Sequence, residues 1–247
     1  MKSMIKKAVA RTPYRIVRRG HANRFAAIED TLESLGKRGF APRNIIDAGA
    51  NVGAFASFVL DLFPEALVHA IEPQPGCQMA LDVLREQSRG RLSIHSVALG
   101  APEQDGKDLQ FASDATSTST GAHVILQDDV RAAIKVPCVT LDRLMEGVLG
   151  RDECALLKLD LQGYELQALL GGMATLARCD VVLTEVSFYA QAYEPSISEL
   201  VKFMAGQGFE LYDIASLFAR PRDDRPRQGD FIFMRRDCAL AVDRSWS

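Results

Sequence analysis

Hydrophobic positions along the chain alternate between short continuous runs and helical spacing, which predicts strands and helices in turn. Ile45 and Ile46 form an apolar run that ends in Asp47 and breaks into Gly49 and Gly53. Val52, Phe55, Ala56, Val59, Leu60 and Phe63 then recur at helical spacing, so the segment predicts a strand, a tight turn and a helix over 53–62. Leu67–Glu72 reads as a second strand, Pro75 opens another helix at a tolerated first-turn position, and Arg91–Val97 reads as a third strand. This β-α-β-α-β order is half of a doubly wound sheet. Upstream, Phe25, Ile28, Leu32 and Leu35 share one face of a helix stopped by Gly39 and Pro42, expected to cover the sheet or one edge of a ligand site.

The pattern loosens from Ala101 to Ala122, with a short strand at Asp108–Phe111 and a Ser/Thr-rich surface loop at Ser113–Gly121. Val136–Leu141 is β-rich and Asp142–Leu149 helical, an excursion before the sheet resumes. Ala155–Leu161 is an apolar strand with Lys158 inside it and Asp160 near its end; Gly163 makes the turn and Glu165 opens a helix, where a carboxylate suits the dipole. Asp180–Val186 is the next buried strand and carries Glu185. Pro195–Gln207 is an amphipathic helix closed by Gly208, and Phe209–Ile214 with Asp230–Arg235 predicts a terminal antiparallel pair. The polar stretch 215–228 between them reads as a loop.

Composition narrows the class. The 47% apolar and 25% charged fractions are globular values, and no run approaches the roughly 18 apolar residues of a spanning helix. A net charge of -3 gives no general attraction to nucleic acid. Cys77, Cys138, Cys154, Cys179 and Cys238 form no C-x-x-C pair, which favours free thiols in a reducing cytoplasm over a metal knuckle or disulfide framework. The histidines have no metal-ligand spacing, and none sits beside a candidate nucleophile. Residues 1–24 hold Lys2, Lys6, Lys7, Arg11, Arg15, Arg18, Arg19 and Arg24 and no acid. That segment reads either as a solvated terminal helix or as a peripheral contact with an anionic membrane surface. No apolar core follows it as a secretory signal requires, so the expected location is the cytoplasm.

The chemistry points to the turn after Ile46. Such a turn, at the carboxyl end of a parallel strand, is where open α/β sheets hold ligands. Gly49 and Gly53 would let backbone approach a ligand, and Asp47 would stand at the lip of the crevice. In the dinucleotide register G-x-G-x-x-G/A the residues are Gly49, Asn51 and Ala54, with Asn where backbone must meet a pyrophosphate. Glu72, at the end of the second strand, is placed for the two hydroxyls of a ribose. A nucleoside without a diphosphate is therefore expected.

Asp-Ala-Gly-Ala-Asn-Val-Gly (47–53) followed by Ile71-Glu72-Pro73 resembles motif I and the acidic motif of class I S-adenosylmethionine-dependent methyltransferases. Leu157-Lys158-Leu159-Asp160-Leu161-Gln162-Gly163-Tyr164-Glu165 looks like the signature of the FkbM family within that class. The resemblance implies a doubly wound, mostly parallel seven-stranded sheet with a terminal antiparallel hairpin, over 43–236, with 1–42 as a basic helical extension and 237–247 as a tail. It implies S-adenosylmethionine as cofactor, bound by Asp47, Gly49, Asn51, Gly53, Glu72 and Pro73, with Val97 and Ala98 bordering the adenine and Asp160 facing the transferred methyl. Asp160 is then the candidate base, with Glu185 as support or rival. Those two acids could together hold a divalent ion, although two carboxylates without a third ligand do not make a metal site. Gln162 stands where many relatives carry Glu. The implied reaction is methylation of a hydroxyl on a sugar, glycan or natural product. Two other classes stay open: a nicotinamide-dependent oxidoreductase, disfavoured by Asn51, and a non-catalytic nucleotide-binding module.

Overall fold

The computed structural model describes residues 24–112, 118, 122–125, 133–150, 155–190 and 195–242. The basic segment 1–23, most of the Ser113–Gly121 cluster, and Cys154 lie outside these. The strands are β1 (Asn44–Ala48), β2 (Leu67–Ile71), β3 (Leu92–His95), β4 (Ala98–Leu99), β5 (Asp108–Ala112), β6 (Ala133–Val139), β7 (Ala155–Leu159), β8 (Cys179–Ser187), β9 (Phe209–Ala219) and β10 (Pro226–Arg235). Seven of them form one sheet in the order β3-β2-β1-β7-β8-β10-β9. Pairings among β1, β2, β3, β7 and β8 are parallel, and β10 runs antiparallel to both neighbours. This is the doubly wound, mostly parallel sheet with a terminal antiparallel pair that the sequence pattern predicts. The strand order reverses between β1 and β7, which opens a crevice at their carboxyl ends.

Period-two alternation sorts the core onto the two faces of the sheet. Ile45, Val68, Leu156, Ile232 and Met234 pack on one side with the helices Ala54–Leu62 and Pro75–Gln87. Ile46, Leu157, Phe231 and Phe233 pack on the other with the helices Glu165–Leu170 and Ile197–Gly206. Each such apolar side chain taken from water contributes about 1.5–3 kcal/mol. The helix Arg24–Lys37 buries Ile28, Leu32 and Leu35 in the first of these layers and reaches β9, where Thr31 hydrogen-bonds Asp213 at 2.9 Å. It covers the sheet and lines no part of the crevice.

The structure corrects two expectations and extends a third. The stretch 215–228 is not a loop: β9 and β10 continue through most of it, and only residues 220–225 form the tip. Polar residues misled there because one face of an antiparallel hairpin can stay wet. The helix expected over 142–149 is a single turn, Leu141–Leu144, capped by Thr140 and followed by turns. The excursion of 98–139 is a small sheet of its own, in the order β4-β6-β5. Its apolar face, with Phe111, Val124 and Val136, packs on Tyr164.

Candidate active site

A cleft of about 230 Å³ opens at the carboxyl ends of β1, β2 and β7, at the point where the strand order reverses. The turn after β1 forms one wall through Gly49, Ala50, Asn51 and Val52. Glu72, Pro73 and Gln74 follow β2, and Lys158, Asp160, Gln162 and Tyr164 come from β7 and the turn beyond it. Val97, Ala98 and Leu99, with Phe111 and Val124 of the small sheet, make the far wall apolar. Such a wall suits a flat heterocycle.

The turn is held by hydrogen bonds that account for its shape. Gly49 N–H and Ala50 N–H donate to Ile71 O at 2.9 and 3.1 Å, and Gly53 N–H donates to Ala50 O at 2.9 Å. Asn51, at φ 50, donates its N–H to Glu72 Oε2 at 2.8 Å, while Gln74 N–H donates to Glu72 Oε1 at 2.9 Å. The N–H groups of Gly49, Ala50, Asn51 and Gly53 are thus satisfied inside the turn. A dinucleotide's pyrophosphate would need such groups pointing outward. Glu72 is buried, which pushes its carboxyl above the ordinary range against the pull of its two backbone donors. Each of its oxygens retains a second lone pair, enough to accept a pair of vicinal hydroxyls.

Gly49 and Gly53 are needed for a different reason from the one their spacing suggests. A Cβ on Gly49, at φ 80, would stand 2.0 Å from Asp160 O, and one on Gly53, at φ 83, would stand 2.8 Å from Leu84 Cδ2. The close approach is protein to protein, and it lets β1 and the end of β7 meet, with Asp160 N–H donating to Ala48 O at 3.0 Å. Gly53 caps the helix Ala54–Leu62 and does not line the cleft.

Asp47 also lies behind the wall rather than at the lip. It is fully buried, and Lys158 Nζ donates to its Oδ1 at 2.8 Å and to Gly49 O at 3.0 Å. Its Oδ2 has no hydrogen-bond partner among the described residues. Lys158, a site residue that received no role from the sequence, had a readable signal. A lysine inside a strand buried on both faces requires an anion, and Asp47 is its register partner on the neighbouring strand.

Beyond β7 the side chains of Asp160, Gln162 and Glu185 form a chain. Gln162, at φ 54, donates from Nε2 to Asp160 Oδ1 at 2.9 Å and to Glu185 Oε2 at 3.4 Å. Gln228 Nε2 of β10 donates to the same Glu185 oxygen at 3.1 Å. Asp160 faces the cleft; Glu185 is buried, outside it, and joined to Asp160 through the Gln162 amide. No group of three or more His, Cys, Asp or Glu side chains is placed for a metal among the described residues. Glu165 clamps the turn that carries Gln162, its Oε1 accepting Leu161 N–H at 2.7 Å and Gly163 N–H at 3.3 Å. Tyr164, a cleft residue without a distinctive sequence signal, is held by a hydrogen bond from Gln104.

Residues 47–211 match the methyltransferase FkbM domain, two-thirds of the chain and every residue of the cleft from Gly49 to Tyr164. The chain belongs to the FkbM methyltransferase family. As a methyltransferase of this family it uses S-adenosylmethionine, and the oxidoreductase reading falls with that membership. No curated protein matches the chain significantly. Among solved structures, magnesium protoporphyrin IX methyltransferase from Synechocystis PCC 6803 with bound SAM is 11% identical, with 95% of this chain and 96% of that chain covered and a TM-score of 0.47. Precorrin-6y C5,15-methyltransferase from Geobacter metallireducens is 11% identical, with 89% and 92% covered and a TM-score of 0.44.

Proposed function

We propose that this methyltransferase acts on a hydroxyl oxygen of a sugar, glycan or natural product, with Asp160 as the general base. The observation that carries the reading is the Asp160 carboxylate, which lines the cleft at the strand-order switch while its backbone is fixed to β1. S-adenosylmethionine supplies an electrophilic methyl on a positively charged sulfur. Its parts fit the lining: the apolar wall of Val97, Ala98, Leu99 and Phe111 suits adenine, Glu72 suits the ribose hydroxyls, and Gly49, Asn51 and Pro73 shape the space between. Asp47 and Gly53 act one layer back, by fixing Lys158 and the turn.

Bound S-adenosylmethionine would give its methyl to the acceptor oxygen and leave as S-adenosylhomocysteine, and Asp160 would take up the proton of that hydroxyl. Holding the oxygen in line accounts for much of the rate, and the base adds about 10²–10⁴-fold. Gln162 orients Asp160 with a neutral amide and keeps Glu185 from opposing it directly. Glu185 supports the site from behind and does not itself touch the cleft. Asp160→Asn should keep affinity for S-adenosylhomocysteine, measured by calorimetry, and lower turnover on any methylated acceptor by about 10²-fold or more. Equal turnover in the variant would remove Asp160 as the base.

A further inference from the structure

The hydrogen-bond chain from Asp160 through Gln162 and Glu185 leads to Gln228 near the start of β10, and next to it the surface changes character. Phe188 N–H donates to Arg227 O at 2.8 Å, which seats the hairpin against the end of β8 and places Tyr189 under its tip. Two guanidiniums lie over the Tyr189 ring, Arg225 at 4.4 Å and Arg220 at 5.8 Å from its centre. Residues 220–227 hold four arginines and two aspartates in a chain whose net charge is -3.

These arginines are not equivalent. Arg220 is bound to Asp223, with Nε donating to Oδ1 at 3.0 Å, and Arg222 Nε stands 3.8 Å from the same carboxylate. Arg225 and Arg227 are exposed and form no ion pair among the described residues. A guanidinium held over an aromatic ring by cation–π attraction keeps N–H donors available for a second partner. Those donors match the two oxygens of a carboxylate or phosphate, and a preorganised fork loses less freedom on binding than a free side chain.

We propose that the acceptor carries an anionic group, a carboxylate or a phosphate, which Arg225 receives over Tyr189, with exposed Arg227 adding positive charge from the start of β10, while the acceptor hydroxyl reaches Asp160. This rests on the reading of Asp160 as the acceptor-side base. It narrows the acceptor to acidic or phosphorylated hydroxyl compounds.

The test uses the full chain saturated with S-adenosylhomocysteine, titrated calorimetrically with glucuronate, glucose 1-phosphate and neutral methyl glucoside. At least one anionic sugar should bind about tenfold tighter than the neutral one, the worth of one charge-assisted hydrogen bond, and which one does so separates carboxylate from phosphate. The double variant Arg225→Gln, Arg227→Gln should lose that preference and keep its affinity for S-adenosylhomocysteine. Equal binding of all three sugars, or a preference that survives in the double variant, overturns the proposal. If the preference disappears in the double variant while Asp160→Asn keeps full turnover, the anion site stands and the assignment of the base fails.

Discussion

Glu165 gives the sharpest quantitative test, because it is fully buried and holds the turn that presents Gln162. Burial, opposed by its hydrogen bonds, moves its pKa from 4.5 up to about 7. Below the lower value the carboxyl is protonated both folded and unfolded, and it contributes no pH dependence. Between the two values the unfolded chain releases the proton and the folded protein keeps it, so stability falls as pH rises; above about 7 the loss is complete. A shift of this size corresponds to about 3 kcal/mol. Glu165→Gln preserves an oxygen that can accept from Leu161 and Gly163 and carries no titrating charge. Any fixed cost of the new amide is the same at every pH. Thermal unfolding of both proteins between about pH 5 and about pH 8 should therefore show the variant gaining on the parent by about 3 kcal/mol. For a chain of this size that is roughly 6–12 °C in melting temperature. A difference between the two proteins that stays constant across the range would refute the argument, since it would mean that burial does not disfavour the ionised carboxylate.

Two further outcomes follow from the turn. Gly49→Ala should destabilise by about 3 kcal/mol in chemical denaturation, because it adds a clash with Asp160 O to a left-handed backbone. Gly208→Ala, with a similar φ but open space around it, should cost only about 1–2 kcal/mol; equal costs at the two positions would show that contact with Asp160 is not what requires Gly49. Glu72→Gln should weaken S-adenosylhomocysteine about tenfold or more in calorimetry, because the new amide nitrogen faces a backbone N–H and one acceptor for the ribose is lost. An unchanged dissociation constant would remove Glu72 from the cofactor site.

The parallel half of the fold was legible because its signals are local. Buried parallel strands are continuous apolar runs, and the positive-φ turn after β1 is written in glycine and asparagine. What escaped the sequence depends on partners distant along the chain. Lys158 and Asp47 lie on neighbouring strands, and only the register sets the lysine against its acid. Gly49 follows the usual spacing for ligand approach, yet the atom it makes room for belongs to Asp160. The outer part of β9 and β10 looked like a loop because its strand character comes from cross-strand pairing, with the register shifting between Pro226 and Gln228. Glu185 lies on the strand expected to carry it, but its separation from Asp160 by the Gln162 amide is a matter of side-chain direction, which strand periodicity does not fix.

The position of β10 between β8 and β9 affects how the chain matures on the ribosome. The last strand of the sheet to be synthesised is an interior one, so β8 and β9 cannot join until Arg235 has emerged. The strands that carry the donor cleft precede it and pair among themselves, whereas Gln228 and the Arg227 carbonyl, which brace Glu185 and Phe188, arrive only with it. A nascent chain halted before residue 226 would own the strands that line the cleft but not the one that braces Glu185 and Phe188, with the Phe231 and Phe233 side of its core still open to water and to chaperones.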